Sequence, residues 1–246
     1  MAHEHRSAMR FLLVHGGWQG GWCWDQVAVR LRAAGHEVLA PTLAGLGPDA
    51  ADRFDISATE MARRLADDLR EQDLRGLVAV GHSGGGPVIQ LLHEFIPDRL
   101  DRLVFVDAWV LADGERVYDV LPAPLAESLQ AAADASPGRL IPMPGDFWRH
   151  GLCNDMPEEV ASGWLDRVVP CPDGWMSDRL RLPGFAGSTV PASYIFLADD
   201  VSVARDVFEF CAARLRQPSV ATSPGGHEAM LSQPAPLADA LLKVCQ

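Results

Sequence analysis

The chain has 246 residues, 48% of them hydrophobic, which favours one domain, or one domain with an insertion, around a large core. Its formal net charge is -12, from 33 acidic and 21 basic residues. Such a surface repels phosphate backbones and anionic lipid, so nucleic-acid and membrane-surface binding are disfavoured. No apolar run reaches the roughly eighteen residues of a membrane span, and the polar start lacks a signal-peptide pattern, which predicts a cytoplasmic protein. The five cysteines are widely spaced and form no Cys-x-x-Cys pair, so we expect reduced thiols.

Short apolar segments alternate with segments of helical spacing along most of the chain. Strands are predicted at residues 11–15, 36–40, 76–80, 102–107, 192–198 and 218–222. Helices are predicted at residues 24–34, 57–72, 87–92, 204–215 and 236–244. Because the strands are uniformly apolar and separated by helices, the pattern predicts a mostly parallel central sheet flanked by helices, an α/β fold.

The alternation breaks between residues 109 and 190. This stretch is rich in Pro, Gly and Trp, no strand stands out in it, and its prolines interrupt any long helix. It is too long for a plain loop in a compact domain. We therefore expect residues 1–108 and 191–246 to form the core and residues 109–190 to form a mainly helical inserted cap.

A Gly-x-Ser-x-Gly motif follows the third predicted strand directly. Residues 81–85 read Gly-His-Ser-Gly-Gly and precede a predicted helix, which is the strand–turn–helix context of a nucleophile elbow. Such a turn exposes the hydroxyl of its serine, here Ser83. A structural Gly-rich turn and a phosphate-binding loop are the alternatives, and the absence of a following Gly-Lys-Ser/Thr disfavours the second.

A serine hydroxyl needs a base, and the base needs an orienting acid. In an elbow fold these partners follow in the order Ser, Asp or Glu, His. His227 comes after the last predicted strand and is the candidate base. Asp200 comes after the strand before it and is the candidate acid, with its neighbour Asp199 and the strand-end Asp107 as alternatives.

An acyl-transfer site also needs two N–H donors for the oxyanion. The N–H after the nucleophile belongs to Gly84, and the loop after the first strand offers that of Gly17. No His/Cys/Asp spacing suggests a metal, so neither a metal nor another cofactor is expected. The candidate substrate contacts lie near the motifs or in the cap and are Trp18, His82, Trp109 and Trp148.

The motifs together resemble the α/β-hydrolase superfamily, and within it the group of plant methylesterases, hydroxynitrile lyases and their bacterial relatives. Residues 11–18, 81–85 and 226–234 carry the resemblance, which covers the fold essentially end to end. It implies the α/β-hydrolase fold, selects Asp200 as the acid, and implies Gly17 and Gly84 as the oxyanion donors. Hydroxynitrile lyases of the group have a threonine and a lysine where this chain has Gly16 and Glu228, which disfavours cyanohydrin cleavage.

These observations predict a serine hydrolase that cleaves a small or medium carboxylic ester, lactone or thioester through an acyl-enzyme on Ser83. One alternative is a lyase or biosynthetic cyclase that uses the same three residues for acid–base chemistry. Another is a ligand receptor without catalysis, which the presence of all three residues disfavours. The expected partner is a small-molecule substrate, and the expected state is a monomer or a homodimer.

Overall fold

The structure is a computed structural model that describes residues 8–47, 53–54 and 56–246. Residues 1–7, on which the prediction of a cytoplasmic protein partly rests, lie outside the described residues. The strands in chain order are β1 (Arg10–Val14), β2 (Glu37–Leu39), β3 (Leu77–His82), β4 (Leu100–Val106), β5 (Leu140–Ile141), β6 (Cys171–Pro172), β7 (Ala192–Leu197) and β8 (Ser219–Ser223). The helices are α1 (Asp25–Ala33), α2 (Ala58–Glu71), α3 (Gly85–Phe95), α4 (Val117–Val120), α5 (Ala123–Ala135), α6 (Glu158–Leu165), α7 (Asp173–Ser177), α8 (Arg205–Ala213), α9 (Ala229–Ser232) and α10 (Pro234–Val244).

The central sheet has six strands in the order β2-β1-β3-β4-β7-β8, and every pairing in it is parallel. This confirms the predicted α/β-hydrolase fold with a parallel sheet. The predicted strand positions agree with the observed ones to within about two residues, the usual uncertainty of element ends.

The sheet is apolar on both faces because helices cover both. Successive side chains of a strand point to opposite faces. Phe11 and Leu13 of β1 accordingly pack into one core cluster, which includes residues of α1 and α10. Leu12 and Val14 pack into the other, which includes residues of α2, α3 and α8. Near-continuous apolar strands are thus required here, as the sequence predicts.

Two helix ends follow directly from local sequence. The side chain of Ser57 accepts a hydrogen bond from the Glu60 N–H at 3.2 Å, which caps the N-terminus of α2. Gly35 follows α1 with φ of +91°, a left-handed conformation that glycine adopts at little cost, and it turns the chain into β2.

The chain between β4 and β7, residues 107–191, is here called the inserted segment. It contains α4 to α7, a π-helical turn at Phe147–Leu152, and the short antiparallel pair β5–β6. Its mainly helical character was predicted, whereas the pair β5–β6 was not, because two-residue strands show no alternation of apolar residues. None of the described helices is both long and apolar enough to span a bilayer.

Candidate active site

Ser83 lies on a sharp turn between β3 and α3. The strand ends at His82, the helix begins at Gly85, and Ser83 has φ of +50°, a strained conformation for a residue with a side chain. Its N–H donates to the Val106 carbonyl at 3.2 Å. Its carbonyl accepts from the N–H groups of Gly86 at 3.1 Å and of Trp109 at 3.2 Å. These backbone hydrogen bonds hold the turn and compensate its strain.

The glycines around Ser83 are required by close backbone approaches. A Cβ on Gly81 would lie 2.6 Å from the Gly85 carbonyl oxygen, and one on Gly86 would lie 2.3 Å from the Trp109 carbonyl oxygen. A Cβ on Gly16 would lie 3.0 Å from the Cβ of Ser83. The first turn of α3 therefore sits tightly against its neighbours, and the loop after β1 passes directly beside the serine.

His227 and Asp200 form a short, buried pair. His227 Nδ1 lies 2.6 Å from Asp200 Oδ2, and the two side chains are only 5% and 2% exposed. The N–H of Ser202 donates to Asp200 Oδ1 at 2.7 Å, and its hydroxyl lies 3.2 Å from His227 Nδ1. Asp200 follows β7 and His227 follows β8, so both come from the carboxyl ends of adjacent parallel strands.

The pair shifts the pKa values of both groups. Burial by itself would lower the pKa of His227, but the charge and hydrogen bond of Asp200 raise it to about 9. Burial by itself would raise the pKa of Asp200, but His227 and then Ser202 outweigh it, so the pKa of the carboxyl falls well below its usual range. The carboxylate is thus ionised and oriented toward the imidazole.

The two other candidate acids have different contacts. The Oδ2 of Asp199 accepts from the Gly225 N–H at 2.9 Å and thereby holds the loop that carries His227. Asp107 is fully buried, and its Oδ2 accepts from the Leu197 N–H at 2.9 Å. Burial and the nearby Asp200 charge raise the pKa of Asp107 to about 8. Of the three aspartates, the structure brings Asp200 to the imidazole of His227.

The loop after β1 is held by a neutral histidine. His15 is fully buried, and burial lowers its pKa to about 4, so the ring is uncharged near neutral pH. Its Nε2 accepts from the Leu43 N–H at 3.0 Å, which leaves Nδ1 as the donor to the Gly16 carbonyl at 2.8 Å. This tautomer fixes the peptide that precedes Gly17.

The same loop is joined to the inserted segment. The indole of Trp18 donates to the Ile141 carbonyl at 2.8 Å, and the Trp18 carbonyl accepts from Val169 at 2.9 Å. The rings of Trp22 and Trp164 stack with centroids 5.6 Å apart. Loop and inserted segment are therefore connected by two hydrogen bonds and one aromatic stack.

Gly84 is held from the other side by the inserted segment. The indole N–H of the fully buried Trp175 donates to the Gly84 carbonyl at 3.0 Å. In the described part of the chain, the N–H groups of Gly17 and Gly84 make no hydrogen bond to another protein group. Both glycines line the cleft that contains Ser83, so both N–H groups are available to a ligand there.

The cleft is partly open to solvent, and the space between its walls and at its mouth amounts to about 530 Å³. Of the expected substrate contacts, Trp18, His82 and Trp109 line it, together with Ser83 and His227. The remaining described walls are mostly apolar side chains: Leu121, Leu125, Leu129, Phe147, Leu152, Met176 and Val203.

The expected contact at Trp148 is corrected by the structure. Trp148 is 1% exposed and packs in a separate cluster with Leu152 and Met156. Its indole donates to the Ala161 carbonyl at 2.7 Å, inside that cluster. Phe147, its neighbour on the π-helical turn, lines the cleft instead.

Three polar residues of the site were missed as contacts. Ser202 follows Asp200 by two residues, a spacing typical of an Asx turn, and this signal was present in the sequence. Gln19 and Glu228 also line the cleft, and each is 1% exposed. No sequence signal marks them as buried, since both residue types are usually found at the surface.

His82, the last residue of β3, lies beside His227. Its ring centroid is 4.6 Å from that of His227, and it is 1% exposed. Burial, followed by the proximity of His227, lowers its pKa well below the usual value. His82 is therefore neutral and contributes a flat wall beside His227. Within the described ranges, no group of three or more His, Cys, Asp or Glu residues could hold a metal ion.

Known proteins are similar to this chain in both sequence and fold. The chain matches the sequence model of the alpha/beta hydrolase family over residues 11–240. It is 32% identical to a carbendazim hydrolyzing esterase of Nocardioides sp. (strain SG-4G), across 94% of this chain and 97% of that enzyme. It is 26% identical to putative methylesterase 14, chloroplastic, of Arabidopsis thaliana, across 99% of this chain and 74% of that protein.

The solved structures agree. An extracellular α/β-hydrolase from a Paenibacillus species superimposes with a TM-score of 0.91 at 28% identity, over 96% of this chain and 98% of that one. The chain belongs to the α/β-hydrolase family, and the resemblance inferred from the motifs is confirmed. Within that family the protein is a carboxylic ester hydrolase, similar to esterases and methylesterases.

Proposed function

We propose that the protein cleaves its ester through an acyl-enzyme on Ser83. The 2.6 Å contact between His227 and Asp200, beside a cleft that Ser83 and His227 both line, is the observation that carries this proposal. His227 takes the proton of the Ser83 hydroxyl as the oxygen attacks the ester carbonyl. Asp200 holds the imidazole in the tautomer with hydrogen on Nδ1 and stabilises the imidazolium that forms.

The tetrahedral intermediate places negative charge on the former carbonyl oxygen. The free N–H groups of Gly17 and Gly84 are our candidates for its donors, each typically worth about 3 kcal/mol. The N-terminal end of α3, an eleven-residue helix that begins at Gly85, adds a favourable dipole at this point. His227 then protonates the leaving alcohol, and water, activated by the same imidazole, releases the acid.

We also propose that residues 109–190 act as a cap that selects the substrate. Leu121, Leu125 and Leu129 of this region line the cleft with apolar side chains. A concave site with mostly apolar walls and a few polar groups is typical of small-molecule binding. The names of the relatives, which include methylesterases and a carbendazim hydrolyzing esterase, support an ester with a small alcohol as the substrate class.

The test is hydrolysis of a panel of methyl and aryl esters by the wild-type protein and by Ser83→Ala. We expect Ser83→Ala to lose a factor on the order of 10⁴–10⁶ in kcat, because the nucleophile is absent. Mass spectrometry after a rapid acid quench is expected to find the acyl group on the peptide that contains Ser83. Near-wild-type turnover by Ser83→Ala, or an adduct elsewhere, would contradict the mechanism.

The same quench separates this mechanism from lyase or cyclase chemistry by the same residues. Only nucleophilic attack leaves an acyl group on the protein. Turnover that depends on Ser83 but never yields an adduct, even with slowly deacylating esters, would favour acid–base chemistry instead.

A further inference from the structure

Glu228 is a buried carboxyl group on the wall of the cleft. It is 1% exposed, and in the described structure its Oε2 makes no hydrogen bond. Buried carboxylates are rare unless they are paired with a cation or with several N–H donors. The proposed mechanism assigns no role to this group, so both its position and its missing partner need an explanation.

Gln19 is a second incompletely bonded group beside it. The side chain is 1% exposed, lies next to the Glu228 carboxyl, and makes no well-formed hydrogen bond through either amide atom to the described residues. Gln19 lies two residues after Gly17 in the loop after β1, and Glu228 directly follows His227 in the loop after β8. The two polar groups are thus placed by the same loops as the reacting groups.

In the described structure, the cleft has no lysine or arginine to balance Glu228, and the basic histidine that lines it, His227, is paired with Asp200. Among the described residues that line it, Glu228 is the only acidic one, and none is Lys or Arg. Burial raises the pKa of Glu228 to about 7, although the charge of His227 and the Gln19 amide act in the opposite direction. A ligand that carries positive charge or an N–H donor would supply the partner that the protein leaves out.

Most of the other described residues that line the cleft are apolar, among them Leu121, Leu125, Leu129 and Met176. We propose that Gln19 and Glu228 form a polar subsite that selects esters bearing a protonated amine, at one end of an otherwise apolar molecule. This proposal rests on the proposed ester hydrolysis at Ser83 and adds the class of substrate. It also predicts discrimination against esters with a free carboxylate, which Glu228 would repel.

The test compares esters that differ only in this group. Methyl 4-(aminomethyl)benzoate and methyl 4-ethylbenzoate form one pair, with the ammonium on the acid side. 4-(Aminomethyl)phenyl acetate and 4-ethylphenyl acetate form the second, with the ammonium on the alcohol side. For each pair, the ratio of kcat/KM values measures the preference for the amine. When this ratio is compared between a variant and the wild-type protein, effects of the substitution that are common to both substrates cancel.

Glu228→Gln removes the charge with little change in shape, and Glu71→Gln makes the same change at an exposed position at the end of α2. At about pH 8, we expect Glu228→Gln to lower the preference for the amine in at least one pair by roughly tenfold or more, the scale of one charged hydrogen bond. Glu71→Gln should leave both ratios unchanged. Gln19→Met should lower the same ratio by a smaller factor, and it serves as the measurement if Glu228→Gln does not fold.

Unchanged ratios in both pairs for Glu228→Gln, or for Gln19→Met if that variant is the one that folds, would overturn the subsite. Ser83→Ala, measured with methyl 4-ethylbenzoate and 4-ethylphenyl acetate, reports separately on the mechanism. Loss of those activities together with an unchanged amine ratio in the Glu228 variant would leave the mechanism standing and remove only the subsite.

Discussion

The pair formed by Asp200 and His227 makes a quantitative prediction for Asp200→Asn. The charge and hydrogen bond of Asp200 raise the pKa of His227 to about 9, against burial that acts to lower it. Without the carboxylate both effects are lost, and burial, opposed by the weaker effects of Glu228 and Asp107, lowers the pKa from that value. Each unit of that fall corresponds to about 1.4 kcal/mol.

This shift has a definite sign in the kinetics. His227 acts as a base only when it is neutral, so kcat/KM rises with pH as the imidazole loses its proton. The acid limb of the wild-type protein should therefore lie on the alkaline side of neutrality, and that of Asp200→Asn should lie at lower pH. The plateau of the variant should fall by a factor on the order of 10⁴, because the imidazole loses the carboxylate that fixes its tautomer.

The assay is kcat/KM for a neutral ester without titratable groups, from about pH 5 to about pH 10, with Asp199→Asn and Asp107→Asn as matched controls. Asp199→Asn should leave the limb in place, since that carboxylate bonds the Gly225 N–H and not the imidazole. If Asp107→Asn or Asp199→Asn moves the limb and Asp200→Asn does not, our assignment of the acid is refuted. A wild-type limb well below neutrality would refute the link between Asp200 and the raised pKa.

Two further predictions concern backbone packing. Gly86→Ala should destabilise the protein by about 1–3 kcal/mol or more, since its Cβ would lie 2.3 Å from the Trp109 carbonyl oxygen. Gly163 lies in α6, and no atom lies within 4 Å of a Cβ added there. Gly163→Ala should therefore stabilise the protein by about 0.5–1 kcal/mol. Urea unfolding midpoints measure both, and equal effects of the two changes would contradict the packing around the elbow. Trp175→Phe should lower kcat several-fold with a smaller change in KM, because it removes the hydrogen bond that holds the Gly84 carbonyl. The same change should lower the free energy of unfolding by about 1–2 kcal/mol. A wild-type kcat in that variant would show that Trp175 does not position Gly84.

The sequence indicated the elbow and the histidine because these signals are local. A glycine-flanked serine after an apolar run is recognisable over a few residues, and the strand–turn–helix context follows from the same window. The choice among the three aspartates was different. Asp107 ends one predicted strand, and Asp199 and Asp200 directly follow another, so the residues alone left all three open. The family resemblance was needed to select Asp200.

The walls of the cleft could not be derived in the same way. They come from the inserted segment, where prolines hide the apolar period. Phe147 and Trp148 are neighbours on a π-helical turn, in which the Cys153 N–H bonds the Trp148 carbonyl five residues back. A period of 3.6 residues does not apply there, so no pattern could show which of the two rings faces the cleft.

The contacts between the loop after β1 and the inserted segment couple two events that are usually considered separately. Trp18 bonds Ile141 and Val169, and Trp22 stacks on Trp164, so a displacement of the segment that widens the cleft would pull on the peptide next to Gly17. Substrate admission and the position of Gly17, a proposed oxyanion donor, would then be linked, because both depend on the same contacts. Discrimination at a distant wall would thereby reach kcat as well as KM.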